Sequence, residues 1–161
     1  VDKCGLYLIN KQNYLSLNHM EIRKKLINCF LIDDDEDDYE IFKMALQEID
    51  PAITLNYAYN GFEALEKLRQ DHLLIPHFIF IDWNMPKMNG RQCLEEIKKN
   101  ERLKNVPVYI YSTSSDPRAI DETRRLGASD FIVKPSSIST LVNILARIFH
   151  IREYKFHSHE S

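Results

Sequence analysis

Short apolar runs alternate with longer amphipathic stretches along most of this chain, and this alternation limits the available folds more than any other feature. Five apolar runs follow one another from residue 27 onward, at 27–32, 52–59, 77–81, 106–111 and 131–133. A segment with helical periodicity follows each run, at 36–49, from Gly61 onward, at 91–101, at 117–126 before Gly127, and around 141–148. Five βα units in series predict an α/β fold, a doubly wound parallel five-stranded sheet covered by helices on both faces.

Polar side chains end these apolar runs. Asp33 and Asp34 follow the first run, Asp82 the third, Ser112 the fourth and Lys134 the fifth. The carboxyl ends of parallel strands share one edge of a sheet, and ligands of open α/β sheets bind there. We therefore expect three carboxylates, a hydroxyl and an ammonium group to converge on one rim.

This combination of groups suits phosphoryl chemistry with a metal ion. Clustered carboxylates repel one another unless a cation is present, and Mg²⁺ prefers carboxylate and phosphate oxygens. An aspartate can attack phosphorus to give an aspartyl phosphate, while a lysine and a hydroxyl neutralise the transferring group. The acids at 35–38 have a simpler interpretation, as a solvated run that favours a helix N-terminus.

Composition excludes several classes of function. The 161 residues carry a net charge of −3, which argues against a nucleic-acid partner. The four glycines are too far apart for a dinucleotide or P-loop motif. Three cysteines without zinc-ligand spacing indicate reduced thiols in a cytoplasmic protein. No apolar run is long enough to cross a membrane.

The pattern predicts one domain at 26–151, preceded by a loosely ordered extension at 1–25 and followed by a tail at 152–161.

Four segments resemble the receiver domains of two-component response regulators, including the chemotaxis regulators. They read FLIDDDEDD, FIFIDWNMPKMNG, VPVYIYSTSS and FIVKPSS, and the pattern Asp-x-x-Met-Pro-x-Met-x-Gly is the most specific. The resemblance covers about residues 26–150 and implies the flavodoxin-like strand order 2-1-3-4-5. Because about ten residues follow, the chain is also similar to stand-alone regulators, including those paired with bacterial phytochrome kinases.

The resemblance assigns a role to each residue at the rim. It implies that Asp82 is the phosphoacceptor and that Lys134 pairs with the phosphoryl oxygens. The implied Mg²⁺ ligands are Asp34, Asp82 and the backbone carbonyl of Asn84, with Asp33 acting partly through water. The family also implies a cis peptide bond between Lys134 and Pro135.

Further positions concern switching and the lifetime of the phosphoryl group. Ser112 matches the family's switch hydroxyl, and Phe131 stands where the family has a rotating aromatic residue that is often tyrosine. Asn84 and Ser114 would flank the water that hydrolyses the acyl phosphate, and neither is a strong acid or base. The prediction is a slow, stoichiometric phosphoacceptor, and not a multiple-turnover enzyme.

The resemblance implies a sensor histidine kinase or a histidine phosphotransfer protein as donor, and a downstream protein as target. The switched surface would combine the fourth helix, fifth strand and fifth helix, which is also where a homodimer would form.

The residues disfavour three alternative functions. An aspartate-based Mg²⁺ phosphatase is disfavoured by Asn84, where such enzymes commonly have an aspartate. A degenerate receiver that acts by binding alone is disfavoured by the complete set of rim residues. A flavin-binding domain is disfavoured because the acids after the first strand would repel a phosphate.

Overall fold

The computed structural model describes residues 26–150, which form five parallel strands alternating with five helices. In chain order the elements are β1 (Asn28–Ile32), α1 (Glu36–Ile49), β2 (Thr54–Ala58), α2 (Gly61–Gln70), β3 (Phe78–Ile81), α3 (Gly90–Lys99), β4 (Val108–Ser112), α4 (Pro117–Arg125), β5 (Asp130–Val133) and α5 (Ile138–Ile148). The strands are arranged β2-β1-β3-β4-β5, and every adjacent pair is parallel. The predicted fold class and strand order are therefore confirmed.

The predictions for the extension at 1–25 and the tail at 152–161 fall outside the described residues, so the domain boundaries stay a prediction. Within residues 26–150, no helix combines the length and the apolar character that a membrane span needs.

Two apolar layers enclose the sheet, and alternate side chains of β1 pack into one layer or the other. Phe30 and Ile32 enter the layer beneath α2 and α3, whereas Cys29 and Leu31 enter the layer beneath α1 and α5. Cys29 and Cys93 are fully buried free thiols. Burial raises the pKa of each to about 12, so both are packing residues with no thiolate chemistry.

Each of the five helices begins at a side chain that accepts a hydrogen bond from a backbone amide of the first turn. These N-cap residues are Asp35, Asn60, Asn89, Asp116 and Ser137. The caps fix where each loop at the carboxyl edge of the sheet turns into a helix. At the other end of α4, Gly127 has φ of +90° and ends the helix as its sequence position predicts.

The loop between β3 and α3 folds back on the residue that follows β3. The Gly90 amide donates to the Trp83 carbonyl at 3.1 Å. A Cβ at Gly90 would lie 2.5 Å from the Asp82 carbonyl oxygen and 2.8 Å from the Trp83 Cα. Only glycine therefore allows the start of α3 to approach Asp82 this closely.

Replacing Gly90 by alanine should lower the free energy of unfolding by about 1–3 kcal/mol, because the added methyl group meets backbone that cannot move aside. Gly61→Ala is the matched control, since Gly61 is also the first residue of a helix but faces the flexible side chain of Met88. Urea unfolding of both variants measures the difference. Equal losses in the two would contradict this account of the β3–α3 loop.

Candidate functional site

Asp33, Asp82 and Lys134 each stand one residue beyond the end of a strand. The backbone amide of each donates to a carbonyl of the neighbouring strand at 2.8–3.0 Å, which extends the parallel ladder by one bond. Their backbone is therefore as firmly held as the strands themselves. The carboxyl edge predicted to gather the polar residues does so at β1, β3 and β5.

Three carboxylates form a cluster at this edge. Asp33, Asp34 and Asp82 each offer an oxygen atom, and these atoms lie within 4.8 Å of one another. Asp33 and Asp82 are buried, whereas Asp34 is exposed at the rim. Oxygen donors with this spacing and charge, reachable from one side, fit a hard divalent cation such as Mg²⁺.

The ammonium group of Lys134 lies among the acids. Its Nζ is 2.7 Å from Asp33 Oδ2 and 2.6 Å from Asp38 Oδ2, but 3.7 Å from Asp82 Oδ1. The side chain is only 8% exposed and crosses from β5 past Tyr111, whose ring centroid is 5.2 Å from Nζ. Lys134 thus ties the far edge strand to β1 and to the first turn of α1.

Burial changes the ionisation of these groups. It raises the pKa of Asp33 to about 6, although the hydrogen bond from Lys134 offsets part of the effect. Burial also raises the pKa of Asp82, and the charge of the more distant Lys134 offsets part of that rise. For Lys134 burial disfavours the charged form, yet the hydrogen bonds to Asp33 and Asp38 outweigh it and raise its pKa. The ammonium is therefore charged throughout the neutral range.

Two tyrosines near the end of β2 hold the acidic loop after β1. Tyr57 donates its hydroxyl to the Asp33 carbonyl at 2.8 Å, and Tyr59 donates to Glu36 Oε1 at 3.2 Å. The Asp35 amide also donates to Asp33 Oδ1 at 3.1 Å. The sequence analysis does not predict a role for these tyrosines. The signal that could have found them is the register of β2 against β1, which places Tyr57 beside Leu31.

Ser112 is fully buried at the end of β4. Its Oγ accepts a hydrogen bond from the Ser114 amide at 3.3 Å, and the Ser114 Oγ accepts one from the Asp116 amide at 3.3 Å. Asp116 is the N-cap of α4, so a chain of hydrogen bonds joins the Ser112 hydroxyl to the start of that helix. Phe131 is half-buried on β5 and pairs in register with Ile110 of β4.

Asn84 lies next to the carboxylates. Its backbone amide donates to Asp82 Oδ2 at 3.2 Å, while its side chain is exposed. Asn84 also lines a rim cavity together with Asp34 and Trp83. Asn84 and the exposed carboxylate of Asp34 therefore share one cavity at the rim.

One prediction about this edge is wrong. No cis peptide bond occurs within residues 26–150, so the Lys134–Pro135 bond is trans. Trans is favoured by about 0.5–1 kcal/mol even before proline. The Lys134 side chain already reaches Asp33 and Asp38 from the trans backbone, so these contacts do not require the cis form.

The interpretation of residues 35–38 as only a solvated run is wrong for Asp38. This residue is half-buried and holds Lys134 with the shorter of its two hydrogen bonds. The available signal was its position as the third residue of α1, whose first turn begins just after Asp33 and Asp34.

The fold and this site define a class of protein, and comparisons with known proteins agree with it. The chain belongs to the response regulator receiver domain family, whose model matches residues 29–146. Receiver domains are generally phosphoacceptors that take phosphoryl groups from histidine kinases, and they are not enzymes in the usual sense.

Relatives of two kinds support the assignment. Chemotaxis protein CheY-3 of Vibrio cholerae is 31% identical over 128 residues, which cover 80% of this chain and 95% of that protein. The phosphorylated cyanobacterial phytochrome response regulator RcpA has a similar structure, with a TM-score of 0.70 and 30% identity, covering 82% of this chain and 99% of that one. For the chemotaxis response regulator CheY4 of Vibrio cholerae the TM-score is 0.67 with 26% identity, over 77% of this chain and 99% of that one.

The raised pKa of Asp33 predicts a pH dependence of stability in the absence of divalent metal. Between its ordinary value of 3.8 and the native value of about 6, the native state binds more protons than the unfolded state. Stability contributed at Asp33 is therefore fully present below the lower value and is lost as the pH rises through the higher one.

Asp33→Asn removes this titration. The free energy of unfolding of the wild type minus that of the variant should fall by about 1–3 kcal/mol as the pH rises through this window. Urea unfolding in a chelator at several pH values measures it. A difference that stays level or rises with pH would contradict the assignment.

Proposed function

We propose that this chain is a response regulator that accepts a phosphoryl group on Asp82 and signals through a change of its surface. The observation that carries the proposal is the position of Asp82, a buried carboxylate at the carboxyl edge with Asp33 and Asp34 on one side and the Lys134 ammonium within 3.7 Å. Negative charge arriving at Asp82 would therefore meet both a cation-binding cluster and a fixed ammonium.

The transfer is a displacement at phosphorus. An Asp82 Oδ attacks the phosphorus of a phosphohistidine, a P–O bond forms and the P–N bond breaks. The departing imidazole nitrogen keeps the electron pair of that bond. The ring leaves as neutral imidazole when its other nitrogen carries a proton, and otherwise it takes a proton from solvent. Lys134 stabilises negative charge on the equatorial oxygens, as a fixed cation does in phosphoryl transfer generally.

Asp33, Asp34, Asp82 and the backbone carbonyl of Asn84 are the groups that would hold Mg²⁺. A bound divalent cation would neutralise charge on the transferring phosphoryl group. The cluster of three carboxylate oxygens supports this, because the single ammonium nearby cannot balance all of its charge.

The lifetime of the acyl phosphate depends on the neighbours of the attacking water. Asn84 and Ser114 occupy the positions that would flank this water, and an amide and a hydroxyl are poor general bases. We expect hydrolysis to be slow, so that the protein acts as a stoichiometric carrier of the signal.

The proposed switch begins at Ser112. A phosphoryl group on Asp82 attracts the Ser112 hydroxyl, and the hydrogen bonds through Ser114 to the N-cap of α4 then rearrange. Phe131 moves into the vacated space by packing alone, because it has no hydroxyl. The result is a shift between two arrangements of α4, β5 and α5.

The partners follow from this class. A sensor histidine kinase or a histidine phosphotransfer protein in the cytoplasm would donate the phosphoryl group. The likeness to a phytochrome response regulator in its phosphorylated form supports phosphoryl transfer to this chain. A downstream protein would bind the α4–β5–α5 surface, through which a homodimer is also predicted.

Incubation with acetyl phosphate tests the phosphoacceptor role directly. With Mg²⁺, intact mass should increase by one phosphoryl group per chain, and Asp82→Asn should abolish the increase because its amide cannot attack phosphorus. The Asp121→Asn variant is the control, since it removes an exposed acid on α4 away from the edge.

Two other outcomes would overturn the proposal in different ways. Continuous release of phosphate without a stable adduct would indicate a Mg²⁺ phosphatase. Neither adduct nor phosphate from folded protein would indicate a degenerate receiver that acts by binding alone.

The switch has its own measurement. Adding beryllofluoride, a mimic of the phosphoryl group, together with Mg²⁺ should shift the backbone amide NMR signals of residues 112–133. Ser112→Ala should reduce these shifts while leaving those next to Asp82, because the hydroxyl is the first group to respond. Unchanged signals over 112–133 in the wild type, with shifts at Asp82, would refute the switch.

A further inference from the structure

Lys134 has two strong carboxylate partners in this structure, and neither is the proposed phosphoacceptor. Its Nζ lies 2.7 Å from Asp33 and 2.6 Å from Asp38, whereas Asp82 is 3.7 Å away and beyond hydrogen-bond distance. An ammonium has three donors, and two of them are engaged. Within residues 26–150 the third donor is free, but the two bonds to Asp33 and Asp38 hold Nζ 3.7 Å from Asp82, so a closer approach to Asp82 draws Nζ away from one of them.

The two partners differ in how readily they can release the ammonium. The Asp33 side chain is 1% exposed and would be left as an unpaired buried charge. The Asp38 side chain is 22% exposed and lies in the first turn of α1, where water and the helix N-terminus stabilise a free carboxylate. Breaking the bond to Asp38 therefore costs less than breaking the bond to Asp33.

Asp38 also adds a negative charge that the cluster of Asp33, Asp34 and Asp82 lacks. It attracts Lys134 toward α1, away from Asp82, and competes with any anionic group that arrives there. The contact is charge-assisted and largely shielded from solvent on the lysine side, so it is stronger than a surface ion pair.

We propose that Asp38 is a positioning residue that competes with the phosphoryl group for Lys134. In the resting state it holds the ammonium on the α1 side. On phosphorylation Lys134 keeps Asp33, leaves Asp38 and turns to the phosphoryl oxygens, so the first turn of α1 loses its tie to β5. This inference rests on the proposed phosphoacceptor role of Asp82.

The test is a beryllofluoride titration at saturating Mg²⁺, followed by the fluorescence of Trp83. Trp83 is the single tryptophan of the chain and lines the rim cavity with Asp34 and Asn84. Asp38→Asn should bind beryllofluoride about tenfold more tightly than the wild type, which is the scale of one charge-assisted hydrogen bond.

Asp37→Asn is the matched control. Asp37 precedes Asp38 in the same helical turn, is exposed, and its loss removes the same unit of charge. Its affinity should change much less than that of Asp38→Asn. An equal gain of affinity in the two variants would show that only the net charge matters, and would overturn the proposal. Weaker binding by Asp38→Asn would also overturn it, because Asp38 would then support the bound state.

A second measurement follows the exchange itself. In protein labelled with ¹³C-aspartate, the carboxyl carbon signal of Asp38, assigned by its loss in Asp38→Asn, should shift when beryllofluoride binds the wild type. An unmoved signal in protein that binds would overturn the exchange but leave the phosphoacceptor role intact. Failure of the wild type to bind at all would overturn both.

Discussion

The ammonium group of Lys134 holds the carboxyl edge of this sheet together. Asp33 and Asp82 are removed from water by the strands that carry them, and this burial raises the pKa of both carboxyl groups. A single buried cation, reaching from β5 across β4 and β3, lets Asp33 stay paired and lowers the cost of ionising Asp82. The same contact joins the edge strand β5 to β1 and α1, which share no backbone hydrogen bonds with it.

The sequence predicts this edge well because parallel strands impose it. Five apolar runs separated by helical segments leave few arrangements other than a doubly wound sheet, and every residue that ends a run must then lie at the same side. That rule alone predicts that Asp33, Asp82, Ser112 and Lys134 lie at this edge. The strand order 2-1-3-4-5 needed the resemblance, since periodicity does not say which strands are neighbours.

Two features of the site cannot be predicted from the sequence, because one depends on where a side chain points and the other on the conformation of one peptide bond. Asp38 stands in a run of six acids, and only the start of α1 at Glu36 turns it toward Lys134 while Asp37 points to solvent. The Lys134–Pro135 bond is trans. The sequence does not predict this, because the cis and trans forms before proline differ by little energy and the surrounding structure decides between them.

The charge at this edge explains why phosphorylation of Asp82 should affect helices on both faces of the sheet. Four carboxylates against one ammonium leave the edge strongly negative, and a phosphoryl group brings a charge of about −1.5 to −2 in place of the single charge on Asp82. Two protein groups at this edge can respond to it. The Lys134 ammonium donates to Asp33 and Asp38, and the Ser112 Oγ accepts from the Ser114 amide. Moving Ser112 disturbs the hydrogen bonds that lead to the N-cap of α4, on one face. Moving Lys134 releases Asp38 at the first turn of α1, on the other face. The existing hydrogen bonds of Lys134 and Ser112 are thus what would couple a local chemical change at Asp82 to two separate helices.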